Sequence, residues 1–179
     1  SGRTLCTHAR GPGVRGARGQ SAPLVGLPPG CCYQPRSMPI GTPFHPRTSA
    51  LCESMSWREW AGYFAVSAYE ATHEREYNAI RNAAALIDVS PLFKYVIEGP
   101  DAARLLHRVT TRDIFKLAVG QVYYTGWCDD DGKLLDDGTV TRVGEQNFRL
   151  TAAEPQYRWL AMNAVGMQVQ VTELTEQMA

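Results

Sequence analysis

The chain has 179 residues, 44% of them apolar and 20% charged, with eighteen basic and eighteen acidic side chains. Those values describe one globular domain of α/β or α+β type, and no apolar run approaches the roughly 20 residues that a membrane-crossing helix needs. No basic segment followed by a long apolar core appears at the start, so no secretory signal is read there.

The zero net charge is a sum of unlike parts. Residues 1–50 hold six Arg, no acid, eight of the 16 Gly and eight of the 11 Pro. Residues 51–179 hold twelve basic and eighteen acidic groups, a net of −6. The chain therefore divides into a basic Gly/Pro/Arg-rich leader, 1–50, and an acidic domain, 51–179. An acidic domain offers no nucleic-acid-binding face. Residues 1–37 show neither a strand period nor a helix period and cannot bury enough surface to offset backbone entropy. They are expected to be disordered or non-native, with Met38 opening a more protein-like stretch. A basic tail for an anionic partner and a transit peptide are the other readings of this leader. Cys6-x-His8 and Cys31-Cys32 lack the spaced ligand pairs of a zinc site, so no metal site is assigned. Cys52 and Cys128 are expected as reduced thiols. An odd cysteine count of five without a signal suits a reducing, cytoplasmic location.

Within the domain, an aromatic stretch (Trp57, Trp60, Tyr63, Phe64, Tyr69) surrounds Ala61-Gly62. Residues 71–86 (ATHEREYNAIRNAAAL) read as a helix: Tyr77, Ile80, Ala84 and Ile87 recur at helical spacing, and Thr72 is placed to cap it. Residues 93–98 alternate as a strand with Phe93, Tyr95 and Ile97 on one face. Gly99-Pro100-Asp101 opens a helix over 102–109, proline suiting its first turn. Residues 121–128 are rich in β-formers, and the turn 130–133 with its Asp-Gly leads into a strand over 134–143. A strand over 147–152, a helix over 154–164 and a last strand over 167–174 follow. That order predicts an α+β fold, an antiparallel sheet with helices packed on one side.

The pair Asp136-Asp137 sits inside a predicted strand, where acids are disfavoured and neighbours point to opposite faces. One carboxylate should be solvated and the other turned inward, where it needs partners. The first alternative for Asp137 is a solvated position at a bulge near Gly138; the second is a carboxylate lining a cleft, able to work as an acid/base or ligand anchor. Tyr124, one strand earlier, is placed to face the same space. His73 and His107 are read as surface or satisfied helix residues, and Ser90 lacks the surroundings of a nucleophile elbow.

Four blocks, Trp60-Ala61-Gly62-Tyr63, Glu74 to Arg81 with Asp88-Val89-Ser90, Gly99-Pro100-Asp101-Ala102, and Gly132 to Asp137, resemble in order and spacing the N-terminal part of the glycine-cleavage T-protein family, tetrahydrofolate-dependent aminomethyltransferases and related demethylases. The resemblance implies the folate-binding domain of such a protein, truncated, over about residues 57–174. It implies Asp137 as the catalytic carboxylate, Tyr124, Asp137 and Thr151 as cofactor-binding residues, tetrahydrofolate as cofactor, and a small methylated or aminomethyl donor as partner. Gly138 stands where the family usually has an apolar residue, and Thr151 where it usually has Asn. Because family members are about twice this length or more, the chain is expected to be an inactive fragment that self-associates through apolar surface left bare. The alternatives are a non-catalytic folate-binding or scaffold module and a fragment of a demethylase for a small osmolyte such as dimethylglycine or dimethylsulfoniopropionate.

Overall fold

The computed structural model describes residues 38–178. The readings of residues 1–37, including Cys6-x-His8 and Cys31-Cys32, lie outside the described residues.

The aromatic stretch forms a hairpin. β1 (Ile40–Gly41) is followed by the short α1 (His45–Thr48), then by β2 (Ser56–Trp60) and β3 (Tyr63–Ala68). These strands make a sheet in the order β1-β3-β2, with β1 parallel to β3 and β2 antiparallel to it. Ala61 and Gly62 turn the hairpin with φ of 48° and 81°, the left-handed pair that matches strand twist. Residues 38–50, grouped by composition with the leader, thus contribute a strand and a helical turn. His45 lies with its ring centroid 4.9 Å from that of Trp57 and 5.9 Å from that of Phe64.

α2 (Glu74–Asn82) is shorter than the spacing predicts, and Thr72 does not cap it: the N-cap is His73, with no side-chain cap bond. Tyr77 and Ile80 are exposed, and Ala84 and Ile87 lie beyond the helix. None of its residues is buried, so no tertiary packing extends a helix of marginal length. Leu86, 95% exposed, follows it.

The main sheet carries the core. It is built from β4 (Phe93–Glu98), β5 (Val122–Cys128), β6 (Leu134–Gly144), β7 (Asn147–Ala152) and β8 (Gln170–Glu173), with α3 (Ala102–Val109) and α4 (Tyr157–Asn163) between them. The strand order is β5-β6-β7-β4-β8 and every neighbouring pair is antiparallel. Tyr95, Ile97, Trp127, Val140, Phe148 and Leu150 point from one face into a cluster completed by Leu105, Leu106 and Val109 of α3, by Ile114 and Leu117 of the segment after it, and by Leu160 of α4. Each such side chain contributes about 1.5–3 kcal/mol by leaving water. The α+β fold with helices on one face of an antiparallel sheet is as the pattern predicts.

Two expected elements are shortened, each for a visible reason. The helix expected from 154 begins at Tyr157, because Glu154 N–H donates to Asp136 Oδ2 (2.9 Å) and Gln156 N–H to the Tyr95 hydroxyl (2.8 Å). The strand expected from 167 begins at Gln170, because Met167 N–H bonds Ala164 O (2.9 Å) and Gln168 N–H bonds Asp101 Oδ2 (2.7 Å). Cys52 is a buried free thiol and Cys128 a part-exposed one.

Candidate functional site

Period-two alternation on β6 divides the acid pair between the two faces of the main sheet. Asp136, only 7% exposed, turns toward the core side with Val140. Its carboxylate accepts from Asp137 N–H (2.7 Å) and Glu154 N–H (2.9 Å), and from Gln156 Nε2 (3.3 Å). Three donors replace the water that burial removes. Asp136 is therefore a structural anchor between β6 and the start of α4.

Asp137 emerges on the other face, part-exposed. The register sets Gly126 opposite Asp137 and Tyr124 opposite Thr139, so Tyr124 is its diagonal neighbour. The Tyr124 hydroxyl donates to Asp137 Oδ2. Tyr124 is 65% exposed, so its ring and the carboxylate stand together on an open surface. Thr151 of β7 lies opposite Thr139, and its hydroxyl accepts from Thr139 N–H (3.2 Å) and shares a hydrogen bond with the Thr139 hydroxyl. The structure thus brings Tyr124, Asp137, Thr139 and Thr151 onto one polar face, away from the helices. Gly126 adds no side chain of its own beside Asp137, and the Leu134 Cδ1 lies 3.1 Å from where its Cβ would stand.

Sequence reasoning missed Thr139 and Lys94, both of which alternation on β6 and β4 could have placed on this face. Lys94, opposite Thr151, is 5% exposed. Its ammonium donates to the carbonyls of Ser90 (2.9 Å) and Leu92 (2.8 Å). Burial pulls its pKa down, and the nearby Asp88 charge works against that. Asp88 accepts from the Thr42 hydroxyl (2.6 Å) and Ser90 N–H (2.9 Å), tying the segment after β1 to the entry of β4. Burial alone would raise the Asp88 pKa, but bonds from Ser90 and Thr42 and the Lys94 charge outweigh it and hold the carboxyl below its ordinary value. A carboxylate held low stabilises fully above its unfolded value near pH 4, and that contribution is lost as pH falls through the lower folded value. Asp88→Asn is therefore expected to flatten the stability–pH profile below about pH 4, read by thermal melts across the acid range. An unchanged acid limb would contradict the assignment.

Asp88 and Pro91 also line a partly open cavity of about 310 Å³, together with Trp60, Phe64 and Tyr69 of the hairpin region and Ile80. Ser90, next to Pro91, is buried. His73 occupies the N-cap position of α2 without a side-chain cap bond, and His107 lies on α3, 3.5 Å from Asp113 and against the Phe115 ring; neither joins the polar face.

A helix-backed antiparallel sheet with a carboxylate and an aromatic hydroxyl joined on its other face defines an α+β domain. The chain belongs to the family described as GCVT N-terminal domain, whose model matches residues 44–179. It is 33% identical over 139 residues to the trimethylamine-oxide aldolase of Ruegeria pomeroyi, covering 75% of this chain and 17% of that protein. It is 35% identical over 97 residues to the aminomethyltransferase of Bacillus cereus, covering 52% and 26% respectively. The crystal structure of glycine cleavage system aminomethyltransferase T from Bartonella henselae matches with a TM-score of 0.68 at 25% identity, over 76% of this chain and 38% of that one. The chain thus spans well under half the length of these relatives. Among the described residues, no helix is long and apolar enough to cross a membrane.

Proposed function

We propose that residues 51–179 form the folate-facing domain of a tetrahydrofolate-dependent one-carbon transferase acting on a small methylated or aminomethyl donor. The observation that carries this reading is the joined pair Tyr124–Asp137 on the open face of the main sheet. The donor set suits the cofactor: a reduced pterin presents ring N–H groups for a carboxylate and a flat face for an aromatic ring. When bound, tetrahydrofolate supplies the nitrogen that takes up the carbon. Asp137 orients the ring and accepts or returns a proton within hydrogen-bond reach. Tyr124 fixes the carboxylate rotamer and offers ring surface, and the Thr151 hydroxyl, coupled to Thr139, is the neighbouring polar contact.

An open face covers one side of a ligand, whereas small-molecule sites bury about 70–90% of one. The chain by itself is therefore expected to bind folate more weakly than micromolar and not to turn over. Calorimetry with 5-formyltetrahydrofolate tests this reading. Weak saturable binding that drops about tenfold in Asp137→Ala, with the melt unchanged, is the expected result. Binding that ignores Asp137 would remove the carboxylate from the site.

The similarity to the trimethylamine-oxide aldolase extends over more of the chain than that to the aminomethyltransferase. It favours a methylated amine-type donor over a carrier-bound aminomethyl group, as does the departure from the family pattern at Gly138 and Thr151.

A further inference from the structure

The polar face of the main sheet carries a second cation besides Lys94. Arg149 lies on β7 between Phe148 and Leu150, both buried in the core, so alternation sends its side chain to the face that holds Asp137 and Thr151. It stands opposite Thr141 on one side and Val96 on the other. Its Nε is buried without a hydrogen-bond partner, and among the described residues no carboxylate makes an ion pair with it. Glu98, on the same face, is held instead by the Asn147 side-chain amide. Lys94 is committed to two backbone carbonyls. Arg149 is thus, among the described residues, the uncommitted cation of this face. A guanidinium with an unmet, buried N–H is poised for a planar anion, which it takes up through paired hydrogen bonds.

Its distance from Asp137 selects the anion. Asp137, Thr139 and Thr141 follow one another at about 6.8 Å per step, and Arg149 stands one strand across from Thr141, so the two residues are roughly 14 Å apart. A small methylated amine with a carboxylate spans only a few ångström and cannot reach both. An extended ligand with a flat head and an acidic tail can: the donor edge of a pterin and the glutamate carboxylates of folate are separated by a dozen or so bonds, on the order of 15 Å. We infer that Arg149 is the receptor for the glutamate carboxylate of the folate, which lies along the open face with its pterin at Tyr124 and Asp137 and its tail over Thr141. Arg149 sets ligand choice and register, and takes no part in moving a proton. This rests on the folate reading above and specifies the ligand's other end.

The test is an NMR titration of the chain with two ligands, 5-formyltetrahydrofolate and a reduced pterin lacking the benzoylglutamate tail. The wild-type chain is expected to prefer the tailed ligand about tenfold, the size of one charge-assisted pair. Arg149→Gln should erase that preference and leave the affinity for the bare pterin unchanged, while Arg149→Lys keeps part of it. The wild-type preference should also shrink as salt is raised, because the pair is part-exposed. Arg149→Gln retaining the full preference, or a wild-type chain showing none, would overturn the inference while leaving the pterin site in place. Binding of neither ligand would overturn the folate reading and this one with it. Unchanged melts confirm that the variants are folded.

Discussion

Replacing Gly138 by alanine is expected to destabilise the domain by about 3 kcal/mol or more, a size reached when a side chain is forced against backbone. A Cβ at Gly138 would stand 1.8 Å from the Thr151 carbonyl oxygen and 2.9 Å from its carbon. On the core side the Trp127 ring lies 3.3 Å from the same point, filling the space that an apolar residue would occupy. The strand β7 cannot retreat without breaking the pairing that sets Thr139 beside Thr151. Reduced freedom of the unfolded chain offsets only about 0.4–1 kcal/mol of this. Gly126→Ala is the control: its Cβ would meet the Leu134 Cδ1 at 3.1 Å, the movable end of a side chain, and about 1 kcal/mol or less is expected. Urea unfolding of both variants gives the comparison; a Gly138→Ala variant as stable as the wild type would mean that β7 is not held where described.

The second large effect separates the two neighbouring acids. Asp136→Ala is expected to lose about 2–4 kcal/mol, because it strands the buried Gln156 amide and removes the acceptor of the part-buried Glu154 N–H. For a domain of this size that is a fall in melting temperature of roughly 10 °C. The Glu154 amide should also lose protection from hydrogen exchange. Asp136→Asn keeps one acceptor oxygen and should fall between the two. Asp137→Ala, one residue on, removes a part-exposed group and should change stability by less than about 1 kcal/mol. If the two alanine variants were equally destabilised, the assignment of one acid to structure and the other to a ligand would fail.

How much of this was legible in the sequence differs by element. The bounds of β4, α3 and β7 follow from the residues alone: Phe93, Tyr95 and Ile97 alternate between clear stops, Pro100 and Asp101 start α3, and Phe148 and Leu150 share a face. The division of Asp136 and Asp137 between faces followed from the pleat. The hairpin of β2 and β3 was not legible, since its aromatic run does not alternate and its turn is Ala-Gly rather than Asn-Gly or Asp-Gly. The late start of α4 depends on Asp136 and Tyr95, residues 18 and 61 positions away in sequence, which no local pattern reports. The cap expected from Thr72 is absent: the helix starts one residue later, with His73 at the N-cap position, and its first turn is held by Glu76, which accepts from Tyr69 N–H (3.1 Å). Lys94 was the least legible: its strand position reads as solvent-facing, yet two carbonyls from the segment before β4 draw it inward.

The central claim is that the open face of the main sheet, centred on Tyr124 and Asp137, receives a folate. Mapping backbone amide shifts of the chain during titration with 5-formyltetrahydrofolate addresses it most directly. Shifts confined to Tyr124, Asp137, Thr139 and Thr151 and their strand neighbours, with Leu105, Leu106 and Leu160 on the helix side unmoved, are the predicted result. Shifts centred on α3 and α4, or a map unchanged by Asp137→Ala, would contradict it.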